Sequence, residues 1–472
     1  MTIPLTLNPD RLFPSDSATR EISRTLYQKI SNMPILSPHG HTDPKWFAEN
    51  QPFPDPSSLF IIPDHYVLRM LYSSGLKLEE LGVSRIDGST IETDKRKIWR
   101  LFAENFYLFR GTPSGMWLNH AFHEVFNINE RLNATNADKI YDQISTCLER
   151  PEFYPRALYE KFNIEVLATT ESPLDDLRYH KKIKNDQWKG RVITSYRPDP
   201  VVDPNFPNFL ENLIELGKIT NKDTKSWNEY LEALFVRRRY FIENGGCTST
   251  DHGHPTAFTA NLSKSDAETL FSRVSTGIAS IEDAELFRGQ MLTEMARMSL
   301  EDGLTMQIHP GAFRNYNPTI FKIFGQDKGC DIPKQTDYVY ALKPLLDRFG
   351  NENKLTIILF TLDETSYSRE LAPLAGHFPA LRLGPSWWFH DSPEGMLRYR
   401  KQVTETAGFY NTIGFIDDTR ALPSIPARHD VSRRIDCGYL GRLVAEHRLD
   451  MDEALEIAND LAYRLTKKAF NL

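Results

Sequence analysis

Short apolar runs alternate with segments of helical period along most of the chain. Eight of these runs have the length and composition of buried strands, and they span 33–36, 164–168, 191–195, 246–250, 305–309, 355–359, 380–383 and 412–416. Segments of helical period separate most of them, at 266–274, 283–300, 338–349 and 393–403. Strand followed by helix, repeated eight times, fits a (β/α)8 barrel of the α/β class better than an open doubly wound sheet, although 246–250 and 380–383 are the weakest strands.

One interval interrupts this alternation after the first strand. Residues 46–162 are rich in aromatic side chains and mostly of helical period, most clearly at 98–108, 120–126 and 137–150. The interval contains no Gly/Ser linker, so we do not expect it to move freely. We predict that residues 1–45 and 163–472 form the barrel and that 46–162 are a helical insertion packed on the barrel mouth.

Composition and net charge indicate which classes of partner the protein is not expected to bind. The chain has 472 residues, a net charge of -7 and a pI near 6.0, so a basic surface for nucleic acid is not expected. The amino terminus lacks the features of a signal peptide, and no window approaches 18 uninterrupted apolar residues, which predicts no membrane partner. The four cysteines are far apart along the chain, which favours a reducing, cytoplasmic location.

Two histidines follow the first apolar run. In an extended chain alternate side chains point the same way, so His39 and His41 can present nitrogens to one metal ion, and Gly40 allows close backbone approach. Taken alone, the triplet is equally compatible with a polar turn.

Polar residues also follow the other predicted strands, where barrel enzymes place their chemistry. Each could be structural: an aspartate can cap a helix, a tryptophan pair can be core, and an arginine can pair with a carboxylate. Their joint placement predicts a site. The residues are Thr169 to Asp176, Tyr196 to Asp199, Asp251 and His252, His309 and Arg314, Trp387 and Trp388, and Asp417 to Arg420.

This set resembles the glucuronate isomerase (uronate isomerase) family of the metal-dependent amidohydrolase superfamily, over nearly the whole chain. The resemblance is carried by His39-Gly40-His41, Asp64-His65-Tyr66 with Arg69, Trp117 with His120, Thr169-Thr170 through His180, Tyr196-Arg197-Pro198-Asp199, Ser249 to Gly253, His309 with Gly311-Ala312 and Arg314-Asn315, Trp387-Trp388-Phe389, Gly395-Met396-Leu397, Asp418 with Arg420, and Arg428-His429. It implies a distorted (β/α)8 barrel and one divalent metal ion, for which we expect zinc, held by His39, His41 and Asp418. Asp417 is the alternative carboxylate, and Asp418 is favoured because it stands two residues before Arg420.

The implied reaction is the interconversion of aldose and ketose hexuronates, D-glucuronate with D-fructuronate and, in relatives, D-galacturonate with D-tagaturonate. A proton moves between C2 and C1 through a cis-enediol. We assign Asp418 as the proton shuttle, Tyr66 as its assistant at the adjacent oxygen, and His65 as a hydrogen-bonding group to the sugar. The predicted substrate-binding residues are Arg197, Arg314 and Arg420 for the carboxylate, with Asp251, His309, Trp387 and Trp388 around the sugar.

Two other functions stay open at the level of sequence. A single-metal hydrolase could recruit His252 and His309 as further ligands, and a non-catalytic protein could bind sugar acids in the same pocket. Glu171-Ser172 stands where the family commonly has two aspartates, which leaves the preferred epimer open. The expected partner is a small hexuronate, and assembly into a homo-oligomer is compatible with the sequence.

Overall fold

A computed structural model describes residues 3–472, and a parallel sheet forms its centre. Seven strands lie in the order β1-β2-β3-β4-β5-β8-β9, while β6 and β7 form a separate antiparallel hairpin. The bounds are β1 (Ile35–Ser37), β2 (Ile164–Glu171), β3 (Val192–Tyr196), β4 (Ser249–His252), β5 (Thr305–Ile308), β6 (Ala312–Phe313), β7 (Ile332–Pro333), β8 (Ile357–Leu359) and β9 (Leu381–Leu383). Each of the first seven predicted runs overlaps a strand of the parallel sheet, although 246–250 shares only Ser249 and Thr250 with β4.

Both faces of this sheet are covered. Every residue of β1, β3, β4, β5 and β8 is buried, as expected for parallel strands enclosed by helices on one side and by the barrel interior on the other. This burial explains why β2 and β8 contain consecutive apolar residues, whereas β4 consists of the polar residues Ser249 to His252 at the site end of the sheet. The α/β barrel prediction is confirmed.

The eighth predicted strand, 412–416, is wrong as a regular strand. Thr412 forms one parallel bridge with Leu383, and the Ile413 N–H donates to the Leu383 carbonyl at 3.0 Å. Gly414 then takes a φ of +78°, which ends the extended conformation. On the other side the His41 N–H donates to the Thr419 carbonyl at 2.9 Å, so this irregular segment closes the ring beside β1 through isolated hydrogen bonds.

Helices surround the sheet, with a long helical stretch between β1 and β2. Helix α1 (Ser17–Ile30) precedes the sheet. The stretch between β1 and β2 contains α2 (Pro44–Glu49), α3 (Pro56–Phe60), α4 (His65–Ser73), α5 (Lys95–Glu104), α6 (Pro113–His120), α7 (Ala137–Leu148) and α8 (Pro155–Lys161). The later helices are α9 (Arg178–Lys184), α10 (Asp199–Val202), α11 (Phe209–Thr220), α12 (Trp227–Gly245), α13 (Lys264–Ser275), α14 (Ile281–Asp302), α15 (Pro318–Phe324), α16 (Lys343–Phe349), α17 (Ala372–Ala375), α18 (Pro393–Ala407), α19 (Ile425–Ala445), α20 (Met451–Asn459) and α21 (Leu465–Ala469).

One predicted helix is shorter than expected. The pattern predicts a helix over 338–349, but α16 begins at Lys343. Pro344 explains this start, because proline fits the first turn of a helix and lacks the N–H that an interior position would need. Tyr338 is instead a buried loop residue, and its N–H donates to Glu370 at 2.7 Å.

The helices between β1 and β2 share a core with the barrel. Phe60, Trp99 and Phe122 from this stretch belong to the same apolar cluster as Ile35 of β1 and Leu167 of β2. The boundary of a helical insertion at 46–162 stays a prediction. Within the described residues, no helix is both long enough and apolar enough to span a bilayer.

We predict that Gly414→Ala destabilises the protein more than Gly303→Ala. Both glycines have a φ of +78°, which costs an alanine about 1–2 kcal/mol. A Cβ at Gly414 would also lie 2.4 Å from the Leu461 carbonyl, whereas a Cβ at Gly303 meets nothing within 4 Å. Urea unfolding should show a further loss of about 1–3 kcal/mol for G414A. Equal losses in the two variants would contradict this account of the ring closure.

Candidate active site

The twelve residues to which the sequence analysis assigns a role in metal binding, catalysis or substrate binding all line one cavity of about 630 Å³ at the carboxyl ends of the parallel strands. They come from many separate elements, which the barrel brings to one face. They are His39, His41, His65, Tyr66, Arg197, Asp251, His309, Arg314, Trp387, Trp388, Asp418 and Arg420.

His39, His41 and Asp418 converge as the sequence predicts for metal ligands. Asp418 Oδ1 lies 3.5 Å from His39 Nε2 and 3.3 Å from His41 Nε2, and it is buried without a hydrogen-bond partner. Bonds of about 2.0–2.1 Å to a tetrahedral zinc ion would separate two ligand atoms by about 3.4 Å. The three side chains therefore fit a divalent metal ion.

Neighbouring side chains hold this group in place. The His39 ring stacks on His309 with centroids 4.8 Å apart, and His309 stacks on Phe360 at 4.0 Å. Trp387 Nε1 donates to Asp418 Oδ2 at 3.0 Å, a hydrogen bond that the sequence did not predict. Asp418 itself has a φ of +46°, in the left-handed region that aspartate tolerates better than most residues.

Burial keeps two histidines of the site, His41 and His65, uncharged at neutral pH. It lowers the pKa of His41 to about 4 and that of His65 to about 3. Both imidazoles are therefore neutral at neutral pH, and a neutral nitrogen has the lone pair that a metal ligand or hydrogen-bond acceptor needs.

Helix α4 supplies His65 and Tyr66 from outside the barrel. The Asp64 side chain caps this helix by accepting from the N–H groups of Tyr66 and Val67 at 2.8 and 3.2 Å. The cap fixes His65 and Tyr66 in the first turn, where both face the cavity. The His65 ring stacks on Tyr66 at 4.7 Å and meets the edge of Trp388 at 5.1 Å.

Two of the three candidate arginines for a substrate carboxylate are already paired with acids. Arg197 donates to Asp199 at 2.9 Å and to Asp251 at 3.0 Å. Arg314 donates to Asp331 at 2.8 Å.

Arg420 is paired more weakly with carboxylates than Arg197 and Arg314 are. Its closest carboxylate, Asp327, is 3.9 Å away, beyond hydrogen-bond distance, and its Nε has no hydrogen-bond partner within the described chain. Arg420 is therefore the guanidinium best placed to receive a small anion.

Asp251 forms a second buried group with His309 and His39. Asp251 Oδ1 is 2.8 Å from His309 Nδ1, and these two residues with His39 are also spaced like metal ligands. His252, the other extra ligand considered for a hydrolase, points elsewhere: its Nε2 lies 2.9 Å from Thr250 Oγ1, and it does not line the cavity.

Sequence reasoning missed four acidic residues that line the cavity: Asp203, Asp327, Asp331 and Asp391. Asp391 lies eight residues beyond the end of β9, past the tryptophan pair, and its position as a polar residue after a strand was a usable signal. Asp327 lies between α15 and β7, in a loop that no strand end marks.

A parallel barrel whose mouth contains a His/His/Asp group and four arginines defines an enzyme with a candidate metal centre and a pocket for a small anion. A sequence profile described as Glucuronate isomerase matches residues 15–470. The chain therefore belongs to the glucuronate isomerase family.

Individual relatives agree over the whole length. A uronate isomerase of Phenylobacterium zucineum is 62% identical over 472 residues, covering 100% of this chain and 98% of that protein. A glucuronate isomerase crystal structure from Caulobacter crescentus has a TM-score of 0.98 and 58% identity, covering 99% of this chain and 98% of that one. A uronate isomerase structure from Thermotoga maritima has a TM-score of 0.91 and 27% identity, covering 98% and 99%.

We expect zinc binding to depend on the His/His/Asp group. The variants His41→Asn and Asp418→Asn should each weaken binding by about 100-fold or more, because losing a ligand should cost at least as much as losing a residue that orients one. Zinc per chain, measured after dialysis against buffered free zinc, checks this expectation. His377→Asn is the control, because His377 is exposed and remote from the cavity. Unchanged zinc content in H41N and D418N would rule out the assigned ligand set.

Proposed function

We propose that this protein interconverts aldose and ketose hexuronates, D-glucuronate with D-fructuronate and also D-galacturonate with D-tagaturonate. One observation carries the proposal: the Asp418 carboxylate, the Tyr66 phenol and the Arg420 guanidinium line the same cavity. Proton transfer on a sugar acid needs a base, a group for the sugar oxygens and a receptor for the carboxylate. Membership of the glucuronate isomerase family supports the same reaction.

Each group has a defined task in this proposal. Arg420 binds the substrate carboxylate, with Arg197 and Arg314 nearby. Asp418 accepts the proton from C2 and returns it to C1, while the hydrogen bond from Trp387 to its Oδ2 fixes the orientation of the carboxylate. Tyr66 acts at the adjacent sugar oxygen.

The remaining cavity residues surround the sugar. His65 hydrogen-bonds it, and Trp388, Asp251 and His309 complete the pocket. This enclosure shields the enediol from water.

The proposed cofactor is one zinc ion held by His39, His41 and Asp418. When bound, it supplies a positive charge that orients and polarises the sugar oxygens. A cytoplasmic location and a homo-oligomer stay predictions, the former resting on four free cysteines dispersed along the chain.

The structure gives less support to the two alternative functions. A single-metal hydrolase would recruit His252 as a further ligand, but His252 does not line the cavity and its Nε2 lies 2.9 Å from Thr250 Oγ1. A non-catalytic binding protein would have no use for Asp418 and Tyr66 beside the anion receptor.

We expect the zinc-loaded protein to convert D-glucuronate or D-galacturonate to a ketose. Proton NMR in D2O should show the ketose together with exchange of the transferred hydrogen, because an enediol passes the proton through a group on the protein. Asp418→Asn should abolish both signals.

Other outcomes separate the alternatives. Binding of both acids without exchange or product would favour a sugar-acid binding protein. Absence of ketose, with metal bound and both acids tested, would reject the isomerase proposal.

Arg420→Gln should raise KM for the hexuronate about 10- to 100-fold, because it removes a charge-assisted hydrogen bond to the carboxylate. Arg239→Gln is the control: Arg239 is an exposed arginine of α12 and does not line the pocket. Steady-state kinetics should show KM unchanged in R239Q. Equal effects in the two variants would indicate only a general loss of positive charge.

A further inference from the structure

The Arg428-His429 pair, one of the motifs that carry the family resemblance, has no task in the chemistry proposed above. Both residues stand near the start of α19, and neither lines the cavity. Both bind the residue that precedes Asp418. His429 Nε2 lies 3.0 Å from Asp417 Oδ2, and because a carboxylate only accepts, His429 is the donor. Arg428 Nη1 donates to the Asp417 carbonyl at 3.1 Å.

These two hydrogen bonds fix the peptide group that leads into Asp418. Asp417 is buried, and α19 holds both its side chain and its carbonyl oxygen. The φ angle of Asp418, +46°, is the rotation about the bond that follows this peptide plane. A residue other than glycine keeps such an angle only where its surroundings impose it. The helix therefore helps to set the direction of the Asp418 carboxylate.

A third residue of the same helix binds the opposite side of the ring closure. Arg433 stands one helical turn after His429, on the same face of α19. Its buried guanidinium donates hydrogen bonds of 2.8, 2.9 and 3.1 Å to the carbonyl oxygens of Ser31, Met33 and Pro34. These three residues come just before β1, the strand that leads to the two ligand histidines.

The sheet itself joins these two sides weakly. β1 pairs with β2 along one edge. On its other side the chain meets residues 417–420 through the hydrogen bond from His41 to Thr419, and no strand ladder forms there among residues 3–472. The position of Asp418 relative to the histidines therefore depends on what binds across the junction, and α19 is hydrogen-bonded to both sides.

We propose that α19 is a clamp across the metal centre, with His429 and Arg433 as positioning residues. His429 holds the segment of Asp418, Arg433 holds the chain that enters β1, and the helix fixes the distance between them. Neither residue contacts the metal ion or the substrate. Loss of either should weaken zinc binding and turnover without a matching loss of substrate affinity. The inference rests on the metal centre and the isomerase function proposed above.

Two variants of His429 test the clamp by their zinc affinity, measured in competition with a chelator. His429→Phe keeps a ring but removes the donor, and it should weaken zinc binding about 10- to 100-fold, the cost of losing a residue that orients a ligand. At saturating zinc we expect kcat to fall about tenfold, with KM changed less than about threefold. His429→Gln carries an amide N–H near the position of Nε2, so it should restore zinc affinity to within about threefold of wild type.

Asp436→Asn is the matched control on the same helix. Asp436 binds Arg400 of α18 at 2.6 and 2.9 Å, in a buried pair that makes no hydrogen bond to either side of the junction among residues 3–472. D436N leaves the Arg400 guanidinium buried without its partner, so it should lower the melting temperature. Its zinc affinity and kcat should stay within about twofold of wild type, because the pair shares no partner with the ligands.

Arg433→Met is a second route to the same measurement, should H429F fail to fold. Methionine keeps an apolar stem but has no donor for the three carbonyl oxygens before β1. We expect R433M to weaken zinc binding about tenfold or more, again with little change in KM.

Three results would overturn the clamp: a zinc affinity within about twofold of wild type in H429F or R433M, equal weakening in H429F and H429Q, or equal weakening in D436N. Other results would reject what the inference rests on. Unchanged zinc binding in H41N and D418N would reject the metal centre, and a zinc-loaded wild-type protein that forms no ketose would reject the isomerase function.

Discussion

The hydrogen bond from the His41 N–H to the Thr419 carbonyl, 2.9 Å long, is the constraint on which the site depends. It joins the segment after β1 to the irregular segment that follows residues 412–416. No regular ladder of strand hydrogen bonds connects these two segments. The bond brings His41 and Asp418 together, although they are far apart in the chain, with a nitrogen-to-oxygen distance of 3.3 Å. The positive φ of Asp418 then directs its carboxylate into the cavity, where Trp387 holds one oxygen and leaves the other for the histidines.

Most of the charged side chains in the cavity form pairs with one another within the protein itself. Arg197 and Arg314 are neutralised by aspartates within hydrogen-bond distance, whereas Arg420 faces Asp327 across 3.9 Å. Burying paired charges costs less than burying single ones, so these aspartates allow several cations to share one cavity. A guanidinium has five N–H donors, and the Nε of Arg420 has no hydrogen-bond partner among residues 3–472, so Arg420 keeps donors for a small anion. The pocket is polar and directional, which suits a small hydroxylated anion better than an apolar ligand.

The sequence predicted the site residues that come directly after the predicted strands. His39, Arg197, His309 and Asp418 were identifiable because parallel strands end at one face of a barrel. The barrel itself was predictable for the same reason, apart from its eighth strand, where Gly414 allows a backbone turn that an apolar run does not reveal.

Side-chain partnerships were not predictable in this way. The hydrogen bond from Trp387 to Asp418, and the chain of contacts from Tyr66 through Asp391 to Arg428, depend on residues that come together only in three dimensions. The shared core between the barrel and the helices that follow β1 has a consequence for how this enzyme can diversify. Trp99 and Phe122 pack in the same cluster as Ile35 of β1. Replacing these helices as a separate unit would therefore expose a strand of the barrel to solvent. Substrate preference can therefore change through point substitutions among the residues that line the cavity, within a scaffold that is inherited as one piece.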